Sequence, residues 1–163
     1  MTDVITSISL DDALAKAGPA AASFARLWAS LWKQDHVPVE LLELCRLTFA
    51  RLHQSGAEMA ATNPLLVSPV TAGRRAAVLA GAALDDPAFS PKDKAILLFA
   101  EYYWVDPQSI TDEVADAVKT HVGEAGFVFL IEALGCIDGR IRAARCLSDM
   151  AVYVPAKEVA YVG

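Results

Sequence analysis

Cysteine is scarce: Cys45, Cys136 and Cys146 are the only three in 163 residues, and they lie far apart. An odd, scattered set excludes a disulfide framework, offers no metal-ligand spacing and fits a reducing compartment. Basic charge is short as well, with 14 Lys and Arg against 20 Asp and Glu, and the only adjacent pair that stands out is Arg74-Arg75. Without a basic patch there is no footprint for a phosphate backbone, so nucleic acid is excluded as an expected partner. Long apolar runs are missing too: Phe127-Val128-Phe129-Leu130-Ile131 stops at Glu132, far short of the roughly 20 residues a membrane span needs. The first ten residues carry acidic rather than basic charge, so neither a signal nor a transit peptide is expected, and a cytoplasmic location follows as the expectation.

What is abundant is alanine and apolar side chain. Hydrophobic residues make up 55% of the chain, with mean hydropathy +0.35. With no membrane span to absorb it, that excess points to burial between subunits, so a homodimer, trimer or hexamer is expected. Apolar residues recur at three- and four-residue intervals and no alternating strand pattern is visible, which predicts an all-α fold. The length suits one domain over residues 1–163, a compact bundle of about six to eight helices. A loose N-terminal arm is expected over about 1–9 and a packed C-terminal tail over about 152–163.

Helix signals are distributed along the chain. Phe24, Leu27, Trp28, Leu31 and Trp32 line one face of a helix that starts at Pro19. Pro38 suits the first turn of the next, which should run to His53 with Glu40 and Glu43 near its positive end. Gln54 to Glu58 reads as a turn and restart, Pro64 to Pro69 as a linker, and Thr71 to Ala83 as a small alanine-rich helix. Ser90-Pro91-Lys92-Asp93 carries an N-cap, a first-turn proline and an acidic third position. Thr111-Asp112-Glu113 opens another helix. The last, about Ala125 to Met150, is apolar nearly all round in its first half and is expected to be the central buried element, with Gly135 and Gly139 allowing close approach.

The candidate chemistry sits mostly on the helix from Pro38. At about 100° per residue, Leu41, Leu44, Cys45, Phe49 and Leu52 share one side, while Glu43, Arg46 and His53 share the other. That charged side is either a solvated face with an i,i+3 ion pair or part of a site. Ser55 is either the N-cap of the restart or a reactive hydroxyl. Glu132 and Asp138, in an apolar helix, must be paired, protonated or pointed into a cavity. Arg140, Arg142 and Arg145 are either favourable charges at a helix C-terminus or partners for such groups. The Tyr102-Tyr103-Trp104 cluster walls a pocket or fills an interface.

Glu43-Leu44-Cys45-Arg46-Leu47 through Glu58, followed by Phe89-Ser90-Pro91-Lys92 to Glu101 and by Val105-Asp106-Pro107 to Val114, resembles the carboxymuconolactone decarboxylase / AhpD-like (alkylhydroperoxidase-like) superfamily. The similarity spans about residues 38–148. Peroxidase members of that group carry Glu, then Cys-x-x-Cys, then His at fixed spacing. Position by position, the resemblance places the glutamate on Glu43, the following arginine on Arg46, the two cysteines on Ser55 and Glu58, and the histidine on Thr62. It implies a compact helical, oligomeric fold that needs no cofactor.

Dithiol peroxidase chemistry needs a thiolate and a resolving thiol, which Ser55 and Glu58 cannot supply. The decarboxylase branch works with acid and base groups alone. The leading expectation is therefore lyase, isomerase or hydrolase chemistry on a small organic carboxylate or lactone. In it Glu43 is the base, His53 the acid or proton shuttle, Glu58 a second carboxylate and Ser55 a hydrogen-bond donor, with Arg46, Thr62 and Asp138 in substrate binding and no metal. The alternatives are a non-catalytic ligand-binding or assembly scaffold and a residual alkylhydroperoxidase-like activity.

Overall fold

A computed structural model describes residues 4–151, and among these there are helices and turns but no strand. The helices are α1 (Leu10–Leu14), α2 (Pro19–Leu31), α3 (Val39–Leu52), α4 (Gly56–Ala60), α5 (Ala72–Leu79), α6 (Pro91–Val105) and α7 (Asp112–Ala151). The all-α bundle read from the apolar spacing is what forms. The expected tail over 152–163 lies outside the described residues.

The centre of the bundle is α3, not the last helix. Ten consecutive residues, Leu41 to Ala50, are buried, which covers every face of the helix. It packs against α4, α5, α6 and α7, while α6 and α7 also lie against each other. The last helix is buried on one side only, through Leu130, Ala133, Leu134, Ile137, Ile141 and Ala144. On its other side Val128 and Ile131 stand 55% and 37% exposed. Its all-round apolarity therefore does not mark a central position.

The local signals place most boundaries well. Pro38 caps α3 from just outside with extended backbone, one residue earlier than the first-turn position expected of it. Gly123, at φ 71°, breaks α7 into the two helices that the signals at Thr111 and Ala125 call for, although they stay joined end to end. Only glycine takes that dihedral without cost. On α2 the aromatic stripe divides: Trp28, Leu31 and Trp32 enter the core, whereas Phe24 and Leu27 stay 55% and 47% exposed.

From Thr6 onward the N-terminal segment is packed rather than loose. Ser7 and Leu10 are fully buried, because Ser7 bonds Glu58 of α4 and Arg140 of α7. Arg140 also holds Asp11 at 2.7 Å and lies 4.4 Å over the Trp28 ring, which ties α1 and α2 to α7.

The start of α6 is a full capping box. Ser90 Oγ accepts from the Asp93 N–H at 3.2 Å, and Asp93 Oδ2 accepts from the Ser90 N–H at 3.0 Å. Asp93 also meets Arg74 of α5 at 2.9 Å. Replacing Ser90 by alanine removes one of the two reciprocal bonds and should cost about 1 kcal/mol, read as a lowered urea midpoint with an unchanged slope.

Candidate functional site

The charged side of α3 is dry. Arg46 has no exposed surface and Glu43 and Glu58 are 1% exposed, so the solvated-face reading of this side does not hold. A guanidinium has five N–H donors, and every one of Arg46's is used. Nε donates to Glu43 Oε2 at 2.9 Å, and Nη2 donates to Glu43 Oε1 at 2.6 Å and to the Ala61 carbonyl at 3.0 Å. Nη1 donates to the Glu58 carbonyl at 3.1 Å and to Glu58 Oε2 at 3.3 Å.

The two carboxylates are equally engaged. Glu58 accepts from the Ser7 N–H and from Ser7 Oγ, the latter at 2.8 Å. Glu43 Oε2 accepts a further bond from Asn63 Nδ2 at 3.2 Å. Ser55, at the first cysteine position of the resemblance, is the N-cap of α4: its hydroxyl accepts from the Glu58 N–H at 3.3 Å. That is the capping alternative of the two open to it.

His53 does not join this cluster. It shares the angular side of Glu43 and Arg46, but ten residues of helix separate it from Glu43, about 15 Å at 1.5 Å per residue. Its own partners come from α6 and α7. Nε2 lies 2.6 Å from Asp138 Oδ1 and 3.1 Å from Trp104 Nε1, and Arg145 Nη1 lies 3.3 Å from Nδ1. Nε2 thus faces both the Asp138 carboxylate and the Trp104 indole N–H, which donates to it, while Nδ1 faces the Arg145 guanidinium. Arg145 also donates to the His53 carbonyl at 3.2 Å, which caps the end of α3. Asp138 holds Arg142 at 2.7 Å as well. Each of the three late arginines thus has its own carboxylate, imidazole or carbonyl partner beyond any general dipole effect.

One cavity adjoins the Arg46 cluster. It measures about 210 Å³ and is lined by Glu43, Thr62, Asn63 and Arg75 together with Ala60, Leu66, Pro69 and Val70. Of the candidates taken from the sequence, Glu43 and Thr62 meet here, while Ser55, His53 and Asp138 do not line it. Asn63 and Arg75 line the cavity without being among the candidates the sequence offers for the site. Arg75 belongs to the adjacent arginine pair, whose isolation in a chain poor in basic residues was the available signal. Its Nη2 donates to the Met59 and Ala61 carbonyls, which fixes the guanidinium at the cavity wall. A larger cavity of about 420 Å³ lies elsewhere, against α2 and α7, and is almost wholly apolar. Among the described residues no group of three or more His, Cys, Asp or Glu is placed to hold a metal ion, and no helix is long and apolar enough to cross a membrane.

The thiols stand apart from the cluster. Cys45 is buried on the apolar side of α3, and burial pushes its thiol up from 9.0 to about 12. Burial also raises Cys136, against a smaller lowering by Arg140, and raises Tyr103 with help from the Asp138 charge.

Three outcomes follow. Arg46→Met leaves two buried carboxylates facing each other and should cost about 3–5 kcal/mol in urea unfolding, against a far smaller loss for an exposed arginine such as Arg26. Cys45 should resist iodoacetamide in the folded protein at pH 8 while exposed Cys146 reacts. Because its folded pKa lies above the unfolded one, Cys45 contributes stability below pH 9 that is lost as pH rises towards 12. Cys45→Ala should flatten the fall in melting temperature across that window.

No protein-family model matches this chain, and neither the curated proteins nor the solved structures contain a match to it.

Proposed function

We propose that this chain is an AhpD-like, carboxymuconolactone decarboxylase-like protein that binds a small organic carboxylate or lactone in the cavity beside Glu43, and that its counterpart of the family's reactive region now serves to hold the fold. The observation that carries this reading is the complete occupation of Arg46, with all five donors matched by Glu43, Glu58 and the Ala61 carbonyl. A guanidinium in that state has nothing left for a ligand. Glu43 likewise has two donor atoms on each oxygen, so both are already engaged within the fold.

The ligand class follows from the cavity wall. Arg75 provides the positive charge, Thr62 and Asn63 provide polar contacts, and Leu66, Pro69 and Val70 provide an apolar surface. Glu43 on the same wall repels a second negative group, so a monocarboxylate or an uncharged lactone fits better than a dicarboxylate. At about 210 Å³ the space is below the roughly 300–1,000 Å³ of drug-sized sites, which limits the ligand to a small molecule.

A second reading, acid/base turnover of the same ligand with Glu43 as base, is favoured by one observation. Glu43 and Thr62, the counterparts of the family's glutamate and histidine, line this single cavity. Thiol peroxidase activity is supported by neither Ser55 nor Glu58, and Cys45 is buried away from both.

A calorimetric screen of small monocarboxylates, matched dicarboxylates and lactones separates these readings. Binding of a monocarboxylate that weakens tenfold or more in Arg75→Ala, with no change in the ligand's NMR spectrum over hours, is the expected result. Conversion of the ligand that ceases in Glu43→Gln would favour the enzymatic reading. No binding from any of the three classes would remove both.

A further inference from the structure

The side of α7 turned away from the core is an unusual surface for a solvated helix. Beyond Gly123 it carries Val128, Ile131, Glu132, Gly135, Gly139, Arg142 and Cys146 along one stripe, at the three- and four-residue spacing of a single helix face. Val128, Ile131, Glu132, Gly139, Arg142 and Cys146 are exposed, and Gly135 is half-buried. A Cβ built on Gly139 meets nothing within 4 Å, so nothing in the described chain covers it. Beside the stripe runs the apolar groove of about 420 Å³, whose other wall includes Phe24 and Leu27 of α2. Four large apolar side chains therefore face water around one helix of a chain with a pronounced apolar excess.

We propose that this face binds a second copy of the chain, with α7 packed antiparallel on α7 about a two-fold axis at the height of Ile137. The order of residues along the stripe carries the choice of partner and register. In antiparallel pairing about that height, Gly139 of one copy comes to the height of Gly135 of the other; Tyr103 Oη lies 3.0 Å from where a Cβ of Gly135 would stand, so the close approach is through the open backbone at Gly139. Glu132 comes to the height of Arg142 of the second copy, and the two-fold repeats that ion pair on the other side of the crossing. Val128 comes to the height of Cys146 of the second copy. A face that supplies both charges in mirrored positions about two glycines is complementary to itself, which a generic apolar surface is not. Such an axis also keeps the same flank of each helix together. The two grooves then lie along one edge of the contact, and Phe24 and Leu27 of both copies are removed from water.

The test is a cross-link that only this register allows. In a Val128→Cys, Cys136→Ser protein the accessible thiols are those at positions 128 and 146. Within one chain these lie 18 residues apart, about 27 Å along the helix, beyond a short bismaleimide. Between copies they lie side by side. The expected result is a covalent dimer in which peptide mapping joins position 128 to position 146, alongside a dimer of the unmodified chain in sedimentation. Both substituted side chains lie outside the fully buried core, so the fold survives, as circular dichroism will confirm. A charge reversal, Glu132→Arg, should raise the dimer dissociation constant about tenfold, and Glu132→Arg with Arg142→Glu should recover most of it. A monomer with no 128–146 linkage overturns the proposal, and would indicate that residues 152–163 or another protein cover the face. An oligomer without that linkage, or one indifferent to Glu132→Arg, overturns it equally.

Discussion

The arrangement of this bundle depends on one buried guanidinium. Arg46 sits with no exposed surface in the middle of the central helix, and a charge in that position is tolerated only if it is paired and hydrogen-bonded. That requirement fixes what surrounds it. Glu43 must lie one turn earlier, α4 must deliver Glu58, and the chain after α4 must turn so that the Ala61 carbonyl points inward. Two carboxylates against one guanidinium leave an excess of negative charge, which is met by N–H and O–H donors from Ser7 and Asn63. The ordering of the N-terminal segment, the short α4 and the turn at Asn63 thus share a single electrostatic cause.

Much of the scaffold was legible because it is written in local signals. The Ser90 capping box, Pro38 at the start of α3, Thr71 before α5 and Gly123 between two helical segments act over a few residues, where sequence and structure are directly connected. Rotation about α3 was also legible: Glu43 and Arg46 do share a side opposite Cys45. What the helical wheel cannot carry is height along the axis, and so it grouped His53 with residues a length of helix away. Nor can it tell a solvated charged face from a buried one. That distinction depends on Ser7 and Glu58, which come from other parts of the chain and carry no local mark of their meeting.

The distribution of polarity inverts a common pattern. The central helix contains the most tightly held charges, while the long peripheral helix displays glycine and apolar side chains. All-round apolarity in the last helix is therefore no sign of depth: one side packs on the core, and the other leaves Val128 and Ile131 exposed. His53, Asp138, Trp104 and Arg145 belong to the same logic. They join the end of α3 to α6 and α7 through polar groups, so that the central helix is held electrostatically at its middle by Arg46 and again at its C-terminal end.

Ser7 is a small residue with a wide reach in time. It bonds Glu58, 51 residues later, and its carbonyl receives Arg140, 133 residues later. During synthesis the segment around Ser7 is made before both partners and must wait for them, and loops of that size close slowly. Until it arrives, Glu58 and Arg140 lack bonds that they need in a dry interior, so the helices that bear them cannot settle fully. The fold is in this sense closed backwards, by a segment that waits for partners made long after it.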